Sequence, residues 1–201
     1  MNRRELLKNA GVPAAAVVLY GSRGEAAGST PVTVLVTYYS VTGNTEKMAK
    51  GVVEGAKAVS GTSVILKRVG EVAGNDLLSS DAVIVGSPVH FGNMSGEAKT
   101  FLDNWLLKFG LWQDRKMRGK VGGAFSTGGA ISNGKEVTLL TILSAMLINQ
   151  MIVVSGGGGF GASATTGPDS PGIDEKEMAE ARALGKRVAE VAAVVKRGST
   201  K

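Results

Sequence analysis

The 201-residue sequence has no cysteine and one histidine, His90. Without cysteine the chain can form no disulfide, thiolate metal site, cysteine-ligated iron–sulfur cluster or cysteine nucleophile. A single histidine excludes a histidine-rich metal site, and it excludes any Ser-His-Asp triad built without His90. The sequence therefore predicts no metal site and no catalytic residue.

Long apolar runs and clusters of basic residues are also missing. The apolar stretch from Ala10 to Tyr20 is far too short to span a bilayer, and no transmembrane segment is predicted. The net charge of +6 favours anionic ligands. Because we find neither a basic cluster with interleaved aromatic residues nor a recognised binding motif, nucleic acid is not predicted as a partner.

The N-terminal segment has the order of a twin-arginine export signal. Arg3 and Arg4 are followed by leucines, Lys8, a weakly apolar core and small residues at Ala26 and Ala27. This order predicts a protein exported to the periplasm or the cell exterior. The alternative is a basic arm or a short amphipathic helix on a cytoplasmic protein. The predicted organisation is an export signal over 1–27, a linker over 28–31, one domain over 32–197 and a tail over 198–201.

The rest of the chain alternates between short apolar runs and helical patterns. Apolar runs predict five strands, at 32–37, 63–67, 82–86, 121–126 and 151–155. Between them apolar residues recur at helical spacing, as at Met48, Val52, Ala56 and Val59. Strands that alternate with helices pair in parallel, with both faces of the sheet covered. The pattern predicts an α/β fold whose ligands lie beyond the carboxyl ends of the strands.

The loop Ser40-Val41-Thr42-Gly43-Asn44-Thr45 follows the first predicted strand and begins the first helix. Unpaired N–H groups at a helix N-terminus hydrogen-bond to phosphate, and the hydroxyls of this loop add donors. No Gly-Lys-Ser/Thr ending follows, so the loop suits holding a phosphate rather than transferring one. The alternative interpretation is an ordinary capped turn between a strand and a helix.

Two further loops, 87–95 and 127–134, follow strands at the same predicted edge. Apolar Phe91 and Met94 in an exposed turn suggest a flat ligand to pack against, whereas the alternative is that Phe91 folds back into the core. His90 is interpreted as a polar loop residue that orients a ligand, not as a catalytic base.

A third glycine-rich segment follows the last predicted strand. Gly156, Gly158 and Gly161 fit a dinucleotide-binding fingerprint. The residues after them, Ala162 to Gly172, are predicted as a loop, so the helix that such a fingerprint needs is missing. This segment is therefore not predicted to bind a dinucleotide.

These residues resemble the flavodoxin-like FMN-binding family, and in particular its WrbA-type NAD(P)H:quinone oxidoreductases. The similarity covers about residues 32–197, and its most specific part is the run Phe91-Gly92-Asn93-Met94-Ser95-Gly96. Other matching stretches are Tyr38-Tyr39-Ser40 to Thr45, Gly86-Ser87-Pro88, Thr100 to Asp103, Phe125 to Gly129, Gly134-Lys135-Glu136 and Gly167-Pro168-Asp169. The resemblance implies a three-layer sandwich with FMN as cofactor. Its five-stranded parallel sheet has the order 2-1-3-4-5 and helices on both faces.

Carried over by position, the resemblance implies FMN-binding residues in all three loops. The first loop would hold the phosphate, and the other two would line the flavin ring. The implied cofactor-binding residues are Ser40, Val41, Thr42, Gly43, Asn44, Thr45, Pro88, Val89, His90, Phe91, Gly92, Ser126, Thr127, Gly128 and Gly129. Trp112 matches an aromatic residue near the substrate side of the ring, while Ile148 stands where some relatives have a histidine.

The resemblance implies an FMN-dependent oxidoreductase that passes two electrons from NAD(P)H, or from another donor, to a quinone. Hydride transfer to the flavin needs no histidine, cysteine or metal from the protein. The alternative is a flavodoxin-type electron carrier or a non-catalytic FMN-binding protein, but carriers of this fold present an acidic face and this chain is basic. The sequence leaves open whether the chain forms a homo-oligomer. The tetramer of the family is not carried over, because the connection from Gly70 to Ser80 is shorter than in typical members.

Overall fold

The computed structural model describes residues 31–167, 170 and 172–199. The predicted export signal over 1–27 lies outside the described residues, as do most of the predicted linker, Pro168, Asp169 and the last two residues of the predicted tail.

Strands and helices alternate along the chain, as the sequence predicts. The strands are β1 Val32–Tyr38, β2 Thr62–Arg68, β3 Ala82–His90, β4 Asn93–Met94, β5 Val121–Gly128, β6 Ile152–Val153 and β7 Ala162–Thr165. The α-helices are α1 Asn44–Lys57, α2 Gly74–Ser79, α3 Gly96–Leu107, α4 Lys135–Ile148 and α5 Glu175–Ser199, and a 3-10 turn occupies Val69–Glu71.

The sheet confirms the predicted flavodoxin-like order. β2, β1, β3, β5 and β6 lie side by side, and every pairing among them is parallel. Because β4 is a short hairpin strand that pairs only with β3, this arrangement is the order 2-1-3-4-5. The carboxyl ends of β1, β3 and β5 therefore lie together at one edge, which we call the carboxyl edge; the opposite edge is the amino edge.

Two helical layers bury the two faces of the sheet. Val34 and Val36 of β1 share a core cluster with α1 and α5, whereas Leu35 between them points into a second cluster with α3 and α4. This alternation follows from the two-residue repeat of a strand. Of the first predicted helical face, Met48, Val52 and Ala56 are buried in these clusters, whereas Val59 lies beyond the end of α1 and is only partly buried. Apolar residues of the other helices are buried there too, among them Phe101, Trp105, Ile142, Met146, Leu184 and Val188.

The last predicted strand differs from the observed one. Within the predicted run 151–155 the strand covers only β6, and Ala162–Thr165, predicted as a loop, forms a further parallel strand on β5. Between the two, a Cβ built on Gly157 would lie 2.3 Å from the carbonyl oxygen of Glu180 in α5. Glycine at Gly157 thus allows this segment to pack on the α5 backbone.

Candidate functional site

The Ser40–Thr45 loop turns sharply before α1 and leaves the helix start open. The hydroxyl of Ser40 accepts a hydrogen bond from the Gly43 amide at 3.2 Å, and the Asn44 side-chain amide donates to the Thr42 hydroxyl at 3.1 Å. Gly43 is the N-cap residue, and no side chain caps the helix. The first-turn amides therefore face outward without a protein acceptor, as an anion site requires.

Arg68, the last residue of β2, fixes this loop from the neighbouring strand. Its guanidinium group donates to the Ser40 carbonyl oxygen at 3.0 Å and to the Glu46 carboxylate at 2.8 Å. Hydrogen bonding with Lys50 lowers the pKa of Glu46, and Arg68 adds to this effect. Arg68 thus places a cation beside the loop and braces its backbone.

The predicted loop 87–95 is a tight hairpin in the structure, because β3 continues to His90 and pairs with β4. Its two turn residues, Phe91 and Gly92, have φ of 49° and 85°. Positive φ at both positions is typical of a type I′ turn, in which phenylalanine is strained. The Phe91 side chain is fully exposed. The alternative that Phe91 folds back into the core is wrong.

Three ionisable or aromatic side chains gather beside the hairpin. The His90 ring meets Tyr39 edge-on, with centroids 6.2 Å apart. A hydrogen bond between Tyr39 and Glu97 raises the pKa of the Tyr39 hydroxyl and lowers the pKa of the Glu97 carboxylate. His90 therefore lies in a polar cluster at the surface, where it is exposed.

The third loop begins at the buried end of β5. The Thr127 hydroxyl lies 2.8 Å from the Thr45 hydroxyl, so a hydrogen bond joins the first and third loops. The Ser126 hydroxyl is buried and has no hydrogen-bond partner in the described part of the chain. Gly129 and Ala130 beyond them are exposed. The third loop thus offers one bonded hydroxyl, one unpartnered hydroxyl and open backbone.

The second and third loops also touch each other. A Cβ built on Gly134 would lie 2.3 Å from the Gly92 carbonyl oxygen, and the φ of Gly134 is +102°. One on Gly167 would lie only 1.7 Å from the Gly129 carbonyl oxygen. Glycine is therefore needed at both places for the loops to approach this closely.

The structure brings together the three predicted loop segments 40–45, 88–92 and 126–129 at the carboxyl edge. Within them Ser40, Thr45, Ser126, Thr127 and Gly128 are buried, whereas Val41, Thr42 and Gly43 are exposed. That each of these residues binds FMN stays a prediction.

Trp112 is not brought to this edge within one chain. It lies next to the C-terminal turn of α3, where the Leu111 amide donates to the Trp105 carbonyl oxygen, and it lines a cleft that reaches Ile148 at the end of α4. Because α4 starts at the carboxyl edge and has 14 residues, its C-terminal end at Ile148 lies about 20 Å from that edge. The Arg115 guanidinium stacks on the Trp112 ring, 3.8 Å from its centroid.

Two side chains that support the site escaped the sequence analysis. Arg68 follows an ordinary apolar strand, and only its register opposite Tyr38 places it beside the phosphate loop. Lys135 matches a stretch of the resemblance, but its burial under the third loop shows only in three dimensions. Parallel pairing of β1 with β2 was the one available signal for Arg68.

The described residues contain neither a membrane-spanning helix nor a cluster of metal ligands. No helix there is both long and apolar enough to cross a membrane. Nor do three or more histidine or acidic side chains in that part of the chain lie together as a metal site requires.

Comparison with known proteins places this geometry in context. Residues 30–165 match the family model described as NADPH-dependent FMN reductase. A protein of Geotalea daltonii called NAD(P)H dehydrogenase (quinone) is 35% identical over 199 residues, covering 79% of this chain and 96% of that protein. A protein of the same name from Archaeoglobus fulgidus is 35% identical over 193 residues, covering 79% of this chain and 96% of that protein.

Solved structures show the same architecture. A flavodoxin, WrbA-like protein from Agrobacterium tumefaciens superposes with a TM-score of 0.68 at 27% identity, covering 80% of this chain and 97% of that one. A flavodoxin from the domain Archaea gives a TM-score of 0.65 at 24% identity, covering 80% of this chain and 99% of that one. The second likeness concerns the fold alone.

Proposed function

Because the chain belongs to the NADPH-dependent FMN reductase family, we propose that it is an FMN-dependent oxidoreductase that passes two electrons from NAD(P)H to a quinone. The observation that carries this proposal is the meeting of three loops at the carboxyl edge, joined by the Thr45–Thr127 hydrogen bond and the Gly92–Gly134 contact. Relatives called NAD(P)H dehydrogenase (quinone) support the reaction.

The first loop suits the phosphate of FMN. The start of α1 has no side-chain cap, and a Cβ built on Gly43 would meet no atom within 4 Å, so a ligand can approach the amides directly. Thr42 and Thr45 supply hydroxyl groups there, and Arg68 adds positive charge behind the loop. A dianionic phosphate gains hydrogen bonds and favourable electrostatics from this set.

The second and third loops suit the two sides of the flavin ring. Phe91 holds an exposed aromatic surface in a strained turn, which is a typical signature of a functional position. The third loop supplies the Ser126 hydroxyl, which has no partner among the described residues, and the exposed residues Gly129 and Ala130. Donors on one side and an aromatic surface on the other match a ring that is polar at its edge and apolar on its face.

FMN bound there would supply the redox chemistry, the transfer of two electrons and one proton from NAD(P)H to the quinone, which takes a second proton from solvent to give the hydroquinone. This chain's residues bind the phosphate, orient the ring and limit access of water to it. No side chain of the chain is assigned as a catalytic residue, and none is required for hydride transfer.

The experiment is reconstitution of the purified protein with FMN, followed by a spectrum and an assay of benzoquinone reduction with NADH and NADPH. We expect a yellow protein that turns over with one or both donors. A bound flavin that dithionite reduces but that shows no NAD(P)H-dependent turnover would indicate an electron carrier instead. A colourless protein that does not bind added FMN would refute both functions.

We also propose that the chain forms a homo-oligomer through α3 and α4. After Glu136, α4 has no charged residue, and apolar side chains on its outer side are exposed. A helix that is apolar on all sides is normally buried on all sides. The outward apolar residues are Leu106, Leu107, Val137, Leu140, Leu147 and Ile148, and the cleft between the helices holds about 380 Å³ and includes Trp112.

Light scattering during gel filtration tests the oligomer. We expect more than one copy for the wild type and a single copy for Leu147→Glu. Val194→Glu is the matched control, because Val194 is an equally exposed apolar residue on α5. A single copy in the wild type would refute this interface while leaving the flavin chemistry untouched.

For residues 1–27 we propose export through the twin-arginine route, which carries folded proteins and so suits a protein that acquires FMN first. If the protein is exported, the domain works outside the cytoplasm, where NAD(P)H is not readily supplied, and its physiological donor would then be another reductant. A reporter fused after Ala27 should reach the periplasm, and changing both Arg3 and Arg4 to Lys should retain it. Retention of the unchanged fusion in the cytoplasm would refute export.

A further inference from the structure

Lys135, the first residue of α4, is a buried cation beneath the third loop. Only 5% of its surface is exposed. Its ammonium group donates to the Ala130 carbonyl oxygen at 2.7 Å, to the Ile131 carbonyl oxygen at 3.2 Å and to the Thr165 hydroxyl at 2.9 Å. An ammonium group has three donors, so every donor of Lys135 is used.

These hydrogen bonds cross-link the loop to the strand beside it. Thr165 ends β7, and its own amide donates to the Glu177 carboxylate in α5 at 2.7 Å. Through Lys135 the loop is thus held to β7, and through β7 to α5. A peptide points its N–H opposite to its carbonyl, so the carbonyls turned toward Lys135 direct the next amides, those of Ile131 and Ser132, away from it.

The charge of Lys135 is more than this cross-link needs. Burial lowers the pKa of Lys135, and the carboxylates of Glu136 and Glu177 only partly oppose this. Burying a cation is costly even when it is hydrogen-bonded. A neutral amide side chain can donate to two carbonyls at a lower cost, so the retained charge calls for a role beyond holding the loop.

We propose that Lys135 is a positioning residue for the flavin, which fixes the third loop in its ligand-binding shape and sets a positive charge behind it that favours the reduced cofactor. This inference rests on the proposed function. Two-electron reduction leaves the flavin ring negatively charged at neutral pH, and a nearby fixed cation stabilises the charged form over the neutral one.

Two variants separate the two effects. Lys135→Met removes both the donors and the charge, and we expect it to weaken FMN binding about tenfold, the size of a lost charged hydrogen bond. Lys135→Gln keeps two of the three donors and removes the charge. For it we expect the preference for reduced over oxidised FMN to fall about tenfold, which lowers the midpoint potential by about 30 mV. Lys135→Arg should restore the potential.

Lys120 supplies the matched control. It lies at the amino edge, and its ammonium group donates to the carbonyl oxygens of Leu78 and Ser80. Burial lowers the pKa of Lys120 as it does for Lys135. Lys120→Gln should reduce the free energy of unfolding but leave FMN affinity and midpoint potential unchanged.

The measurements are FMN titration by fluorescence quenching, the midpoint potential against a reference dye, and denaturant unfolding of the apoprotein. Unchanged FMN affinity in Lys135→Met, with a loss of stability like that of Lys120→Gln, would show a purely structural lysine and overturn the inference. An unchanged potential in Lys135→Gln would overturn its electrostatic part. A wild type that binds no FMN would instead refute the proposed function.

Discussion

The amino edge and the carboxyl edge of the sheet differ in the hydrogen-bond partners of their polar groups. At the amino edge, the Asp81 carboxylate accepts hydrogen bonds from the Thr33 amide and from Lys196, both at 2.8 Å. Lys120 donates to carbonyl oxygens of the segment that precedes β3. At the carboxyl edge α1 begins without a side-chain cap, and Ser126 has no partner among the described residues. Asp81 and Lys120 at the amino edge have partners within the protein, whereas the start of α1 at the carboxyl edge is left without a side-chain cap.

Positive φ at non-glycine residues is not confined to the carboxyl edge, because Arg115 and Gln150, which precede β5 and β6, also have it. Phe91 adopts a positive φ at the carboxyl edge and leaves its ring exposed. Strained, exposed features persist where function maintains them, since neither gains stability for the fold. We therefore expect the effects of substitutions on stability and on ligand binding to be separable in this protein. Substitutions at the amino edge should leave FMN binding unchanged, whereas those at the carboxyl edge should weaken it.

The largest expected effect comes from Gly134→Ala. The new Cβ would clash with the Gly92 carbonyl oxygen, and the positive φ adds strain, so we expect a loss of about 2–4 kcal/mol in the free energy of unfolding and at least about tenfold weaker FMN binding. Gly119→Ala is the control at the amino edge, because its φ is +77° but no atom lies within 4 Å. It should cost about 1 kcal/mol and spare FMN. Weaker FMN binding by Gly119→Ala would contradict this difference between the two edges.

Asp81→Asn should act at the amino edge alone. It weakens charged hydrogen bonds to the Thr33 amide and Lys196, so we expect a loss of about 1–2 kcal/mol in the free energy of unfolding and an unchanged FMN affinity. Asp103→Asn, in an exposed i,i+4 pair with Lys99, is the control and should cost at most about 0.5 kcal/mol. Weaker FMN binding by Asp81→Asn would contradict the separation.

Asp76→Asn tests how the free energy of unfolding depends on pH. Hydrogen bonding with Lys67, together with the Ala73 amide, lowers the pKa of Asp76 below its unfolded value. A lowered folded-state pKa stabilises the protein above the unfolded pKa, and this stabilisation is lost as pH falls through the folded pKa. The variant should be less stable by about 1 kcal/mol at pH 7, and the difference should shrink as pH falls through the lowered folded-state pKa of Asp76. A difference that persists in acid would point to packing instead.

The smallest expected effect has the opposite sign for stability. Phe91→Asn puts a residue that tolerates positive φ into the hairpin turn, so we expect a gain of about 0.5–1 kcal/mol in the free energy of unfolding. Because the exposed ring is lost, FMN should bind a few-fold more weakly by fluorescence titration. A gain in stability without any loss of affinity would remove Phe91 from the site.

The fold followed from the sequence where apolar runs were strong. β1 and β3 are buried on both faces, and such strands are continuous runs of Val, Ile and Leu. The run Ala162–Thr165 was missed because alanine, serine and threonine after a glycine carry no apolar signal. It forms a strand because β5 continues beyond β6 and offers unpaired backbone there.

The candidate site was predictable as three loops but not as a set of contacts. Helix starts and strand ends place the loops, because parallel strands put their carboxyl ends at one edge. The Gly92–Gly134 contact and the buried ammonium of Lys135 depend on distances between distant segments, which local patterns do not encode. The role of Trp112 near the substrate side of the ring stays a prediction, and within the chain Trp112 lies beyond the C-terminal end of α3.

The hydrogen bond between Thr45 and Thr127 joins residues 82 positions apart in the chain. Contacts of such long range form late, because the intervening chain must be ordered first. We therefore expect the three loops to form the binding site only after β1, β3 and β5 have packed together. Quenching of FMN fluorescence during refolding would then report the last step of folding. The delay between recovery of the helical signal and this quenching would measure how late the binding site forms.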